Sequence, residues 1–107
     1  MKTCVIIPTY NEAKTIGELI RQICSQELDV VVIDDGSADN TRQIAQDSGA
    51  TVLRNQTNEG KGASLIRGFN YALNKGFDAV ITMDGDGQHE ASDLPYFMRL
   101  AKYSNSG

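Results

Sequence analysis

The sequence predicts an α/β fold, a Rossmann-like, mostly parallel sheet with flanking helices, and three observations carry that expectation. Four short runs rich in β-branched residues, 4–7, 30–33, 51–53 and 79–82, are continuously apolar, as strands buried on both faces require. Segments of helical period lie between them, and such alternation packs as parallel strands joined by right-handed crossovers. The connections entering strands are terse, whereas those leaving strands are long and polar. In open parallel sheets ligands bind beyond the carboxyl ends of the strands, so one rim of the molecule is built for chemistry and the other for stability.

Each element has its own justification. The first strand ends at Pro8, and Ile16, Leu19, Ile20, Ile23 and Cys24 then follow the i, i+3, i+4, i+7, i+8 rule of an amphipathic helix. The second strand runs into Asp34-Asp35-Gly36-Ser37. A shorter helix follows, anchored by Ile44 and Ala45, capped by Ser37 or Asp39 and ended by Gly49. After the third strand, Asn58-Glu59-Gly60-Lys61-Gly62 opens a helix whose core face is read as Leu65, Ile66, Phe69, Ala72 and Leu73, with Gly76 as its stop. The fourth strand leads into Met83-Asp84-Gly85-Asp86-Gly87-Gln88-His89. Ser92 is then a candidate N-cap for a fourth helix marked by Leu94, Phe97, Met98 and Ala101, and residues 104–107 read as a tail.

Composition narrows the function. The 107 residues make one domain or part of one, and the 40% hydrophobic fraction suits a collapsed core. Ten Lys and Arg against fourteen Asp and Glu give a net charge of −4, and no basic stripe forms, which excludes nucleic-acid binding driven by the phosphate backbone. No apolar run approaches the roughly 18 residues of a membrane span. The N-terminus lacks the pattern of a signal peptide, so a cytoplasmic location is expected. Cys4 and Cys24 have neither redox nor metal-ligand spacing and read as reduced core thiols.

The chemistry-bearing residues gather on the polar rim: Glu12, Asp34, Asp35, Asp39, Asp84, Asp86 and Glu90, with Glu59 nearby. Carboxylates converging on one crevice repel one another unless some are protonated or a cation binds. Asp84-Gly85-Asp86 places two hard oxygen ligands two residues apart around a tight turn, a pattern that suits Mg²⁺ or Mn²⁺. A solvated Asp-Gly turn is the plainer alternative, and the position at a strand end beside other acids favours the metal. One of Asp34 and Asp35 shapes its turn, while the other is placed to accept an N–H from a ligand's ring edge. Tyr10 offers a flat ring with a polar tip, and Lys61 sets a cation at a helix N-terminus in a glycine-rich turn that matches no standard phosphate motif. His89, the sole histidine, reads as a capping or packing residue ahead of a metal ligand.

Together, Val5-Ile6-Ile7-Pro8-Thr9-Tyr10-Asn11-Glu12, Asp34-Asp35-Gly36-Ser37 with Asp39-Asn40-Thr41, Asn58-Glu59-Gly60-Lys61-Gly62 and Met83-Asp84-Gly85-Asp86-Gly87-Gln88-His89 resemble the donor-binding half of a family 2 glycosyltransferase. The last motif, followed by Asp93-Leu94-Pro95, is similar to that of the polyprenyl-phosphate glycosyltransferases, the group that includes dolichyl-phosphate mannose synthase. The resemblance implies a GT-A fold and a nucleotide-sugar donor, UDP- or GDP-linked, with a polyprenyl phosphate as acceptor. It implies that Pro8, Tyr10 and Glu12 line the nucleoside pocket, that Asp35 meets the base edge and that Lys61 lies near the nucleotide. Asp84 and Asp86 become the DxD pair, touching ribose and Mg²⁺ or Mn²⁺, with Gln88 as a further metal contact.

Electrostatics points the same way, because a diphosphate brought to an acidic rim meets like charges that at ~4 Å cost on the order of 1 to 4 kcal/mol per pair. A divalent ion reverses that sign and stabilises the departing nucleoside diphosphate. Family members carry a catalytic aspartate in an acceptor half beyond DxD. The expectation is therefore that residues 1–107 are the donor-binding part, supplying donor and metal binding only, with the base beyond Gly107 and transfer at a cytoplasmic membrane surface. Two other Asp-rich readings, one of them an enzyme class, fit less well. A haloacid-dehalogenase phosphatase needs its DxD on an early strand, and a response-regulator receiver needs its acidic pair after the first strand. The non-enzymatic alternative is a nucleotide-binding or assembly module that self-associates through an exposed face.

Overall fold

The computed structural model describes residues 1–85 and 96–100. In chain order the elements are β1 (Thr3–Thr9), α1 (Ile16–Cys24), β2 (Asp29–Asp34), α2 (Thr41–Asp47), β3 (Thr51–Arg54), α3 (Lys61–Asn74), β4 (Ala79–Thr82) and β5 (Tyr96–Arg99). They form one five-stranded sheet in the order β3-β2-β1-β4-β5. β1 to β4 pair in parallel, with Ile6 opposite Val31 on one side and Thr82 on the other, and β5 runs antiparallel to β4. The α/β expectation thus holds. The chain builds outward from β1 in both directions, so the crevice between the β1 and β4 ends is a topological switch point.

Because successive strand side chains point to opposite faces, two cores form. Val5, Ile7, Val30 and Val32 meet Ile16, Leu19, Ile20 and Ile23 of α1 and Ala45 of α2. Cys4, Ile6, Val31, Ile33 and Val80 meet Ala72 of α3 and Phe77. The continuous apolar runs of β1 and β2 follow from this double burial. β3 is an edge strand with half-buried and exposed residues, so the expectation of burial on both faces fails for it.

Three further expectations are corrected. The α3 seam is made of Ser64, Gly68 and Ala72, one helical turn apart, while Ile66 and Leu73 are 61% and 43% exposed. Small residues let the helix axis approach the sheet so closely that a Cβ on Gly68 would lie 2.6 Å from Ile6 Cγ2. The stretch containing Phe97 and Met98, expected as helix, is strand β5, whose register sets Met98 opposite Val80 and Phe97 opposite Ile81. Its pairing with β4 outweighed a helical apolar spacing that had no buried face to serve, since all four β5 residues are exposed. Pro8 lies inside β1, which ends at Thr9. Ile6 is the last β1 residue to pair with β4, its carbonyl accepting the Met83 amide, and Pro8 faces that same side two residues on. Its missing N–H therefore falls where none of the described strands needs it.

Candidate functional site

The rim at the carboxyl ends of β1, β2 and β4 is stitched together by backbone and short polar side chains. Thr9 O accepts the Asp35 amide at 2.8 Å. Asn11 adopts φ +53°, an orientation tolerated by Asn, and from it the Asn11 amide donates to Ser37 Oγ at 2.8 Å while its Oδ1 accepts the Ala38 amide at 2.9 Å. The Glu12 amide donates to Thr41 Oγ1 at 2.9 Å. Gly36, at φ +79°, turns the chain out of β2 where a side chain would meet the Thr57 backbone at 3.1 Å. On the β4 side Thr15 Oγ1 donates to the Gly85 carbonyl at 2.9 Å, and a Cβ on Gly85 would lie 3.0 Å from Thr9 Oγ1. The residue after Asp84 is thus held small by contact with β1.

The acids divide by role. Asp34 is fully buried and shapes its turn, Oδ1 accepting the Ser37 amide at 3.0 Å while Oδ2, without a hydrogen bond, faces the Arg54 guanidinium at 3.8 Å. Asp39 accepts the Thr41 amide, the first of α2, at 3.0 Å, and its carboxylate is also met by the Thr41 hydroxyl and, at 3.4 Å, the Ala13 amide. The Thr41 hydroxyl above all holds Asp39 below the usual carboxylate range, against a smaller upward push from burial. Neither expected cap takes the N-cap position, which is Asn40 and makes no side-chain cap hydrogen bond: Ser37 Oγ is engaged by Asn11, and Asp39 holds the first α2 amide from one residue ahead. Asp35 is 5% exposed and accepts from Asn55 Nδ2 at 3.0 Å and from the Glu59 and Gly60 amides at 2.7 and 2.9 Å. Burial pushes it up, but these donors together hold it below its ordinary value.

A cavity of about 260 Å³ opens here, lined by Pro8, Thr9, Tyr10, Asp35, Asn58, Gly60, Lys61 and Ser64. Pro8, Tyr10, Asp35 and Lys61, all singled out in the sequence, thereby line one cavity, and Asp84 is tied to them through Lys61 Nζ, 2.6 Å from its Oδ1. Glu12 sits on the same rim without lining the cavity. Asp86, Gln88 and His89 lie outside the described residues. Among the described residues no three His, Cys, Asp or Glu side chains come together to hold a metal ion, so the acids do not converge as one cluster there. Asp34 and Asp39 are spent on the fold, whereas Asp35 is tied to the neighbouring loop and also lines the cavity.

Sequence reasoning missed Asn55, which is buried and ties Asp35 to Ser64, and Arg67, whose guanidinium donates to Asn55 Oδ1 at 2.7 Å. The signal available was position, since Asn55 directly follows β3 just as Asp35 follows β2. A second cavity of about 310 Å³ lies on the opposite rim beside Lys2, Asp29, Tyr71 and Lys75. Its ammonium groups sit over aromatic rings, Lys2 4.5 Å from the Phe77 centroid and Lys75 5.7 Å from that of Tyr71, which is a packing role.

Comparison with known proteins agrees with this geometry. The sequence model of the family described as Glycosyl transferase family 2 matches residues 4–106. An undecaprenyl-phosphate mannosyltransferase of Micrococcus luteus is 36% identical over 111 residues, covering 95% of this chain and 45% of the relative. The chain thus spans about half the length of that curated relative. A mannosyltransferase of Pyrobaculum calidifontis, solved with GDP-Man and Mn²⁺, superposes with a TM-score of 0.70 at 28% identity over 79% of this chain and 27% of that one. Glucosyl-3-phosphoglycerate synthase of Mycobacterium tuberculosis, solved with Mn²⁺, UDP-glucose and phosphoglyceric acid, gives 0.68 at 30% identity over 78% and 32%.

Proposed function

The chain belongs to glycosyl transferase family 2, and from that premise we propose that its rim cavity binds the nucleoside diphosphate of a nucleotide-sugar donor, UDP- or GDP-linked, whose sugar passes to a polyprenyl phosphate. The observation that carries this reading is that Asp35 and Lys61 line one cavity, with Asp84 tied to it through Lys61 Nζ at 2.6 Å. Similar structures solved with GDP-Man or UDP-glucose and Mn²⁺ support it, as does the relative named for an undecaprenyl phosphate.

In this reading Tyr10, 47% exposed, and Pro8 bracket the base, Asp35 accepts from its ring edge, and Lys61 supplies positive charge to the diphosphate. Asp84 fits a Mg²⁺ or Mn²⁺ site as one hard-oxygen ligand, its carboxylate 29% exposed and paired with the cavity-lining Lys61, and Asp86 and Gln88 are assigned as its companions. A divalent ion held there supplies charge against the departing nucleoside diphosphate. We assign this chain the donor- and metal-binding share of the reaction, at a cytoplasmic membrane surface. No helix among the described residues is long and apolar enough to cross a membrane.

One observation favours a second reading, an assembly module that pairs with another copy: β5 exposes Tyr96, Phe97 and Met98 by 66%, 55% and 40% at a sheet edge. Sedimentation separates the two, a concentration-independent monomer excluding self-association. The donor reading is tested by calorimetric titration of UDP and GDP with Mn²⁺ or chelator, on the wild type and Asp84→Ala. Uptake of at least one nucleotide, strengthened by Mn²⁺ and weakened about tenfold in the variant, is expected. Uptake indifferent to both Mn²⁺ and the substitution would refute the metal assignment.

A further inference from the structure

Asp35 is met by three donors of the chain itself, and they are unevenly shared. Among the described residues, Oδ1 accepts from Asn55 Nδ2 at 3.0 Å and from the Glu59 amide at 2.7 Å, whereas Oδ2 accepts only from the Gly60 amide at 2.9 Å. A carboxylate offers about four acceptor positions, two on each oxygen, so Oδ1 is filled and Oδ2 keeps one. Asn55 cannot turn away to release Oδ1. Its Nδ2 also donates to Ser64 Oγ at 3.1 Å, and its Oδ1 accepts from Arg67 NH1 at 2.7 Å, the same nitrogen that reaches the Arg54 carbonyl at 2.7 Å. A flipped amide would set its oxygen against the Asp35 carboxylate and its NH₂ against the guanidinium.

Resting on the donor-binding reading above, we propose that Arg67 and Asn55 are positioning residues that leave Asp35 a single acceptor, and that the site therefore prefers uracil to guanine. Uracil presents one ring N–H on its pairing edge. Guanine presents two adjacent donors, the ring N–H and the exocyclic amino group. With the ring N–H on Oδ2, the amino group faces an oxygen already occupied and loses its water without gaining a partner. A buried donor left unpaired in this way lowers affinity roughly tenfold or more.

The test is titration of the purified protein with UDP, GDP and inosine diphosphate in the presence of Mn²⁺. Inosine diphosphate keeps the purine bulk and ring N–H of GDP without the amino group, so it separates hydrogen bonding from size. UDP is expected to bind roughly tenfold tighter than GDP, with inosine diphosphate binding at least as well as GDP. Asn55→Ala frees a position on Oδ1 and is expected to narrow the UDP-to-GDP ratio several-fold. Arg67→Gln, at an exposed position, is expected to do the same by unlocking the amide, and it serves should the buried substitution fail to fold. GDP equal to or tighter than UDP, GDP several-fold tighter than inosine diphosphate, or an unchanged ratio in a folded variant overturns the proposal while the donor reading stands. Failure of all three nucleotides to bind overturns the donor reading and this inference together.

Discussion

Gly68→Ala tests the seam on which the rim depends. The added Cβ would lie 2.6 Å from Ile6 Cγ2, 3.0 Å from Ile33 Cδ1 and 3.2 Å from Ile6 Cδ1. Both isoleucines are fully buried, and Cγ2 branches at Cβ, so it cannot swing aside without a change of rotamer or a shift of β1. Overpacking of this kind costs about 1–3 kcal/mol, and the better helix propensity of Ala offsets about 1 kcal/mol of it. With two rigid neighbours the cost falls in the upper part of that range, leaving a net loss of about 1–2 kcal/mol. In a domain of this size that lowers Tm by roughly 5–10 °C. Gly62→Ala is the control, because its Cβ meets nothing within 4 Å in the first turn of the same helix, and it is expected to be neutral or stabilising. Thermal and urea unfolding of both variants decide the matter. A Gly68→Ala protein as stable as the wild type would refute the claim that close approach of α3 to β1, and not apolar area, fixes this helix.

Other outcomes follow from the same geometry. Asp35 and Asp39 have carboxyl groups held below their ordinary range in the fold, so near and below pH 4 the unfolded chain binds more protons than the native one. The stability these carboxylates contribute is complete above the unfolded value and is lost as pH falls through the folded one. Urea midpoints measured from pH 6 downward should therefore drop at the acid end, and less steeply in Asp35→Asn and Asp39→Asn; identical slopes would remove these groups from the account. Burial pushes the Cys4 thiol up to about 11 and leaves it no exposure, so at pH 8 a thiol reagent should label Cys24 well before Cys4 in the folded protein. Equal labelling rates under native conditions would show that strand β1 opens readily.

Strands β1 and β2 were legible because burial on two faces demands uninterrupted apolar residues, and α1 because Ile16, Leu19, Ile20 and Ile23 do face the sheet. The face of α3 was not legible by the same rule. Hydrophobic periodicity rewards Ile66 and Leu73, but the helix packs through residues chosen for smallness, and a pattern search weighted by apolar character passes over Ser64 and Gly68. β5 misled for a related reason: its apolar residues have helical spacing, yet its place comes from pairing with β4, a contact between segments distant in sequence. At the rim, Pro8, Tyr10 and Asp35 were singled out because strand ends mark them, and Lys61 because it opens a helix in a glycine-rich turn. Asn55 was passed over because a lone Asn has no spacing that separates a turn former from the centre of a hydrogen-bond network.

The acids show where sequence arithmetic must give way to geometry. Counting carboxylates on the rim argues for a cation, since seven or eight like charges in one crevice repel. Three of them, Asp34, Asp35 and Asp39, are instead engaged by amides of the neighbouring loops, by the Thr41 hydroxyl and, for the Asp34 oxygen that has no hydrogen bond, by the Arg54 guanidinium of β3, and these contacts hold the loops in register. Their negative charge is distributed into the scaffold before any ligand arrives. Asp84 differs, because its described partner is the ammonium of Lys61, a side chain 63% exposed, and an exposed ion pair of that kind is worth at most about 1 kcal/mol. A charge held so lightly is available for exchange, whereas one held by buried amides is not. The division on this rim between fixed and exchangeable carboxylates therefore follows how each is bound, and Asp84 stands on the side where an incoming cation or diphosphate competes on even terms with the protein's own contacts, while Asp35 meets a ligand as a fixed acceptor.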